Sequence, residues 1–106
     1  MVIEALIYTS KGKLERHIMK CFKYDSSRNS LFSLIYYKNE NNKFNSTWEN
    51  IKKYIEEFKY PEGYDMSKSY DISDSYKNSS IKVLKAFHKN NLVFYHIMVN
   101  FSYADK

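Results

Sequence analysis

Ser10-Lys11-Gly12-Lys13-Leu14-Glu15-Arg16-His17-Ile18-Met19-Lys20-Cys21-Phe22-Lys23-Tyr24 is where the reading of this chain begins. The first four residues have the chemistry of a turn, with Gly12 where a positive φ is wanted. Alternation through residues 14–24 puts Leu14, Ile18, Phe22 and Tyr24 on one side. Glu15, His17, Met19, Cys21 and Lys23 fall on the other, a strand-like period of two. Upstream, residues 2–9 carry Val2, Leu6 and Tyr8 on one face and Ile3, Ala5 and Ile7 on the other. Apolar on both faces, that strand is expected in the middle of a sheet, paired with residues 14–24 as an antiparallel hairpin.

Downstream, Asp25-Ser26-Ser27-Arg28-Asn29 reads as a polar loop and residues 31–38 as a third strand, with Leu31, Ile35 and Tyr37 opposite Phe32, Leu34 and Tyr36. Residues 39–45 break the pattern. Ser46-Thr47-Trp48-Glu49 then has the form of a capping box. It predicts a helix to about Lys59 with Trp48, Ile51, Ile55 and Phe58 along one side, ended by Pro61 and Gly63.

Residues 61–80 are expected to be a long Tyr/Ser/Asp-rich loop, the one acidic segment of the chain. Residues 81–89 and 92–103 read as two strands joined by Asn90-Asn91, a pair suited to a tight type I′ turn. The faces of the last strand are both apolar, which places it centrally. The expected fold is one α+β domain over residues 1–106: an antiparallel sheet of about five strands, in the order β-β-β-α-β-β, with one amphipathic helix on one face. One helix cannot cover five strands. Tyr and Phe on the uncovered face then point to a second layer from the long loop or to self-association, a homodimer included.

Eleven tyrosines, fifteen lysines and ten asparagines, with two arginines and no glutamine, are the output of an A/T-rich genome. The net charge of +5 is therefore in part codon usage, although a basic chain also suits nucleic acid. Cys21 is the single cysteine, which excludes an internal disulfide and fits a reducing compartment. With no signal-peptide pattern at residues 1–9 and no apolar run of membrane-spanning length, a cytoplasmic protein without a membrane partner is expected.

Three histidines raise the question of catalysis. No Cys or His spacing suits a metal, so neither a metal nor another cofactor is expected. His17 and His88 are expected at the surface and His96 partly buried in a strand. A metal-independent nuclease would draw on His88, beside Lys85 and Lys89, and on His96. Gly12 and Gly63 cannot make a phosphate-cradling loop or a nucleophile elbow.

The first functional reading is accordingly an intracellular interaction protein without catalysis, binding a host protein or nucleoprotein. Chains of this size and composition are written by phages and mobile elements whose products inhibit host machines, anti-CRISPR and other anti-defence proteins among them. Tyr60, Tyr64, Tyr70 and Tyr76, with Asp71 and Asp74, are its expected contact residues. The alternative is a nucleic-acid-binding module in which Lys11, Lys13, Arg16, Lys20 and Lys23 of the first hairpin, with Lys82, Lys85 and Lys89 of the last, follow phosphates while tyrosines stack on bases.

Overall fold

Residues 14–24 are helical. The computed structural model describes residues 3–25, 29–38 and 43–101, and in it helix α1 spans Lys11–Asp25. Ser10 opens that helix: its Oγ accepts from the Lys13 amide at 3.2 Å and its carbonyl from the Leu14 amide at 3.1 Å. The expected turn is thus a helix N-terminus. Leu14, His17, Ile18, Cys21 and Phe22 are all buried, three and four residues apart, as on an amphipathic helix.

A helix at this point reorders the sheet. Strand β1 (Ile3–Ile7) leads into α1, and β2 (Ser30–Lys38) returns parallel to β1, with Ile3 opposite Phe32 and Ile7 opposite Tyr36. Parallel neighbours need such a crossover, whereas a tight turn would have made them antiparallel. Helix α2 (Phe44–Glu57), β3 (Met66–Asp71), a 3-10 turn at Ser73–Ser75, β4 (Ile81–His88) and β5 (Leu92–Phe101) complete the chain.

Across the sheet the strands lie in the order β1-β2-β5-β4-β3. β2 pairs with β5 in parallel, while β4 pairs with β5 and β3 with β4 in antiparallel fashion. The sheet is therefore mixed rather than purely antiparallel, and two helices pack on it rather than one.

Three strand positions follow from this topology. β5 is central, as its two apolar faces predict, but β1 is an edge strand with only Leu6 buried. The expected loop at 61–80 supplies the opposite edge, β3, whose Ser and Lys content suits an edge with one free side. The β4–β5 hairpin is present, with Asn90 and Asn91 left-handed at φ 65° and 59°. Because His88 partners Leu92, Lys89 joins them in the connection. Residues 26–28 and 39–42 of the expected loops, Val2 of the first strand and Tyr103 of the last lie outside the described residues.

Helix α2 buries Phe44, Trp48, Ile51 and Ile55, and its last residue is followed by Phe58 in extended conformation. Its start lies two residues before Ser46, so the capping box does not form. Lys43 is the N-cap without a side-chain bond, and Ser46 Oγ instead donates to the Lys43 carbonyl at 3.2 Å.

Both helices pack on the same face of the sheet. His17 of α1 reaches Ser33 of β2, Phe22 of α1 packs on Phe94 of β5, and Phe44 of α2 packs on Tyr37 of β2. Leu6, Leu31, Ile35, Leu84, Ala86, Phe94 and Met98 join the helices in one core. Asp71, at the end of β3, ties α2 down: it accepts from Trp48 Nε1 at 2.9 Å, Lys52 Nζ at 2.8 Å, the Ser73 amide at 2.9 Å and the Ser73 hydroxyl.

Candidate functional site

With α1 and α2 on one side, the other face of the sheet carries no helix among the described residues. Register fixes what lies on it. One row crosses all five strands: Tyr70, Lys85, Tyr95, Phe32 and Ile3 are successive partners. Lys68, Phe87, Val93 and Ser30 form the row beside it. On its other side Val83, Ile97, Leu34 and Ala5 align, followed by Ile81, Val99, Tyr36 and Ile7. Phe101 and Lys38 pair at the end.

The face divides into two kinds of surface. Towards β1 it is aliphatic, with Ile3 53% and Ile7 60% exposed. Ile7, Tyr36, Lys38 and Phe101 line a depression of about 520 Å³ there. Towards β3 it is aromatic and basic. Phe32 and Tyr95 lie nearly parallel, 5.1 Å between centroids and 7° between planes, and Tyr70 meets Phe87 edge-on at 6.0 Å.

Two lysines sit among those rings. Lys85 Nζ lies 5.2 Å from the Phe87 centroid and 5.6 Å from that of Tyr95. Lys68 Nζ lies 5.3 Å from Phe87 and 5.7 Å from Tyr70. These are cation–π distances, with each ammonium over two ring faces. None of the described strand residues on this face is Asp or Glu, because Glu4 and Asp71 fall on the helix side.

The histidines all belong to the core. His17, expected at the surface, is 6% exposed and shares a 2.8 Å hydrogen bond between Nε2 and the buried Ser33 hydroxyl. Burial lowers its pKa against the pull of Glu4. Cys21 Sγ lies 3.9 Å from the same nitrogen. His88, also expected at the surface, is 5% exposed. It donates from Nδ1 to the Tyr64 carbonyl at 2.8 Å, with its ring against Phe22 and Tyr60. His96 has no exposed surface, stacks on Phe94 at 4.0 Å, and is pushed down to a pKa of about 3 by burial, with His88 and His17 adding to the effect. Among the described residues no group of three or more His, Cys, Asp or Glu is arranged to hold a metal ion.

The tyrosines of residues 60–76 separate. Tyr60 is a core residue whose hydroxyl donates to the Ile55 carbonyl at 2.6 Å, and burial raises the pKa of its phenol. Tyr64 packs on Phe22. Tyr70 is 51% exposed and stands on the helix-free face, while Tyr76 is exposed just beyond the 3-10 turn. Asp71 is the anchor of α2, and Asp74, exposed, lies in that turn.

The lysines separate too. Lys11, Lys13, Arg16, Lys20 and Lys23 lie on α1 rather than on a hairpin. Lys85 is on the opposite side of the sheet from them. Lys82 lines a depression with Trp48, Glu49, Asp71 and Ser73, and Lys89 is in the hairpin connection. Phe32, Tyr95, Phe87 and Lys68 were absent from the expected contact residues. Their common face becomes visible only when β2 is paired with β5 and β3 with β4.

No protein-family model, curated protein or solved structure matches this chain. None of the described helices is long and apolar enough to cross a membrane.

Proposed function

We propose that this protein is a binding module and that the helix-free face of its sheet is the surface it binds with. One observation carries the reading: both helices pack on the same side, leaving a face of aliphatic, aromatic and lysine side chains across five strands on which Ile3, Ile7, Tyr70 and Phe101 are exposed. Exposed apolar side chains grouped on one face are a feature of interaction sites. Tyr and Phe flanked by Lys add the aromatic content typical of contact surfaces. An inhibitor of a host machine, the role suggested by composition, would use such a face, and Tyr70 would then act as part of it.

The test is photo-crosslinking in cells from benzoylphenylalanine placed at Tyr95 or, on the exposed helix layer, at Lys53. Adducts from position 95 and none from position 53 are expected. Adducts from position 53 alone would overturn the reading.

A further inference from the structure

We infer that the aromatic and basic half of this face binds single-stranded nucleic acid, an inference that rests on the face being the contact surface. The row of Tyr70, Lys85, Tyr95 and Phe32 runs across four adjacent strands, perpendicular to them. With neighbouring strands ~4.8 Å apart, the row extends roughly 14 Å, room for two or three unstacked nucleotides. Rings offer planes on which any base stacks, and ammonium groups between them meet the phosphates. Lys68 and Lys85 occupy those intervening places, each within 6 Å of two rings.

Charge separates this partner from a second copy of the chain. The described strand residues of the aromatic half include Lys68 and Lys85 and no carboxylate. Two such faces meeting would bring like charges together without compensating acids, which disfavours association. A polyanion has the complementary charge. Duplex nucleic acid would satisfy the lysines but keeps its base planes stacked internally, away from the rings.

The experiment is a fluorescence-anisotropy titration of the full chain with labelled twelve-nucleotide oligo-dT and oligo-rU, a duplex of equal length, and polyglutamate. Single strands are expected to bind with affinity falling as salt rises, and polyglutamate not to compete. Tyr70→Ala, at an exposed edge position, should weaken single-strand binding by about five- to a hundredfold, the range for loss of one stacking partner. The double variant K68Q/K85Q should reduce the slope of log affinity against log salt by about 1.4. Arg16→Gln with Lys20→Gln, on α1, should leave both unchanged.

Absence of single-strand binding at low salt, equal competition by polyglutamate, or loss of binding through the α1 variant instead of the face variants would overturn the inference. Adducts from position 95 distinguish its failure from failure of the binding-surface reading. Nuclease-sensitive adducts support single-strand binding. Adducts that only protease removes, or covalent dimers of the chain, overturn the nucleic-acid inference while the face remains a contact surface.

Discussion

Replacing Asp71 by alanine should detach the α2 layer from the sheet edge. The carboxylate accepts from Trp48 Nε1, Lys52 Nζ and both the amide and hydroxyl of Ser73, so one side chain joins α2, β3 and the 3-10 turn. The Lys52 contribution is small: both side chains are partly exposed, at 22% and 31%, and such pairs are worth at most about 1 kcal/mol. The Trp48 bond matters more. Trp48 is 2% exposed, and an indole N–H left without an acceptor costs ~1–3 kcal/mol. Ser73, 9% exposed, loses its acceptor for both groups. Allowing for non-additivity, the loss should be about 2–4 kcal/mol.

The assay is urea unfolding followed by fluorescence of the single tryptophan. A second signature lies in pH. Burial works against the Asp71 charge, but the hydrogen bonds from Lys52, Ser73 and Trp48 outweigh it and hold the carboxyl well below its usual range. Its folded pKa being depressed, it adds stability above the unfolded value of ~3.9 that is lost as pH falls through the folded one. Asp71→Ala should therefore lose less stability below about pH 4 than the parent does. A change under ~0.5 kcal/mol, within the ordinary range for surface substitutions, would refute the latch.

Two further outcomes test the fold. Ser10→Ala removes the N-cap of α1 and should cost ~1 kcal/mol by urea unfolding, whereas a residue in a simple turn would cost little. His96 has its pKa lowered from 6.5 to about 3 by burial, so its contribution is fully present above about 6.5 and lost as pH drops towards 3, and burial lowers those of His17 and His88 in the same direction. The unfolding free energy from urea titrations should fall from pH 7 to 4, by up to ~1.4 kcal/mol per pH unit through His96, and His96→Leu should flatten that fall.

Much of the fold was legible because local chemistry and period agreed. The apolar positions of α2 at Trp48, Ile51 and Ile55 fit only a helix, and Asn90-Asn91 announced its hairpin. The segment 14–24 was ambiguous for a specific reason. Leu14, Ile18 and Phe22 are four residues apart, which is two strand repeats and close to one helical turn, so they share a face in either case. The distinguishing signal was Arg16 and Lys20, charged residues that a strand would place among those apolar side chains. Reading that one element as a strand set it between β1 and β2, which instead pair directly in parallel, and removed the second helix.

The candidate site was less legible because it spreads over five strands that meet only through the sheet order. Ile3, Ala5 and Ile7 made β1 look central, but their apolar face is the uncovered one. Strand β3, Met-Ser-Lys-Ser-Tyr-Asp, has one large apolar residue facing that side, too little alternation to stand out from a loop. Tyr60, Tyr64, Tyr70 and Tyr76 were expected on one contact surface, yet the fold sends Tyr60 into the core, Tyr64 towards Phe22 and only Tyr70 onto the sheet face.

Hydroxyl-radical footprinting of the full chain, purified and in cells that express it, tests most directly whether the helix-free face meets a partner. Tyr70, Tyr95 and Phe101 should be labelled in the purified protein and protected in cells, while Met19, exposed on α1, keeps its labelling in both. Protection of Met19 with unchanged labelling of the sheet rings would place the contact on the helix layer and contradict the binding surface proposed for this protein.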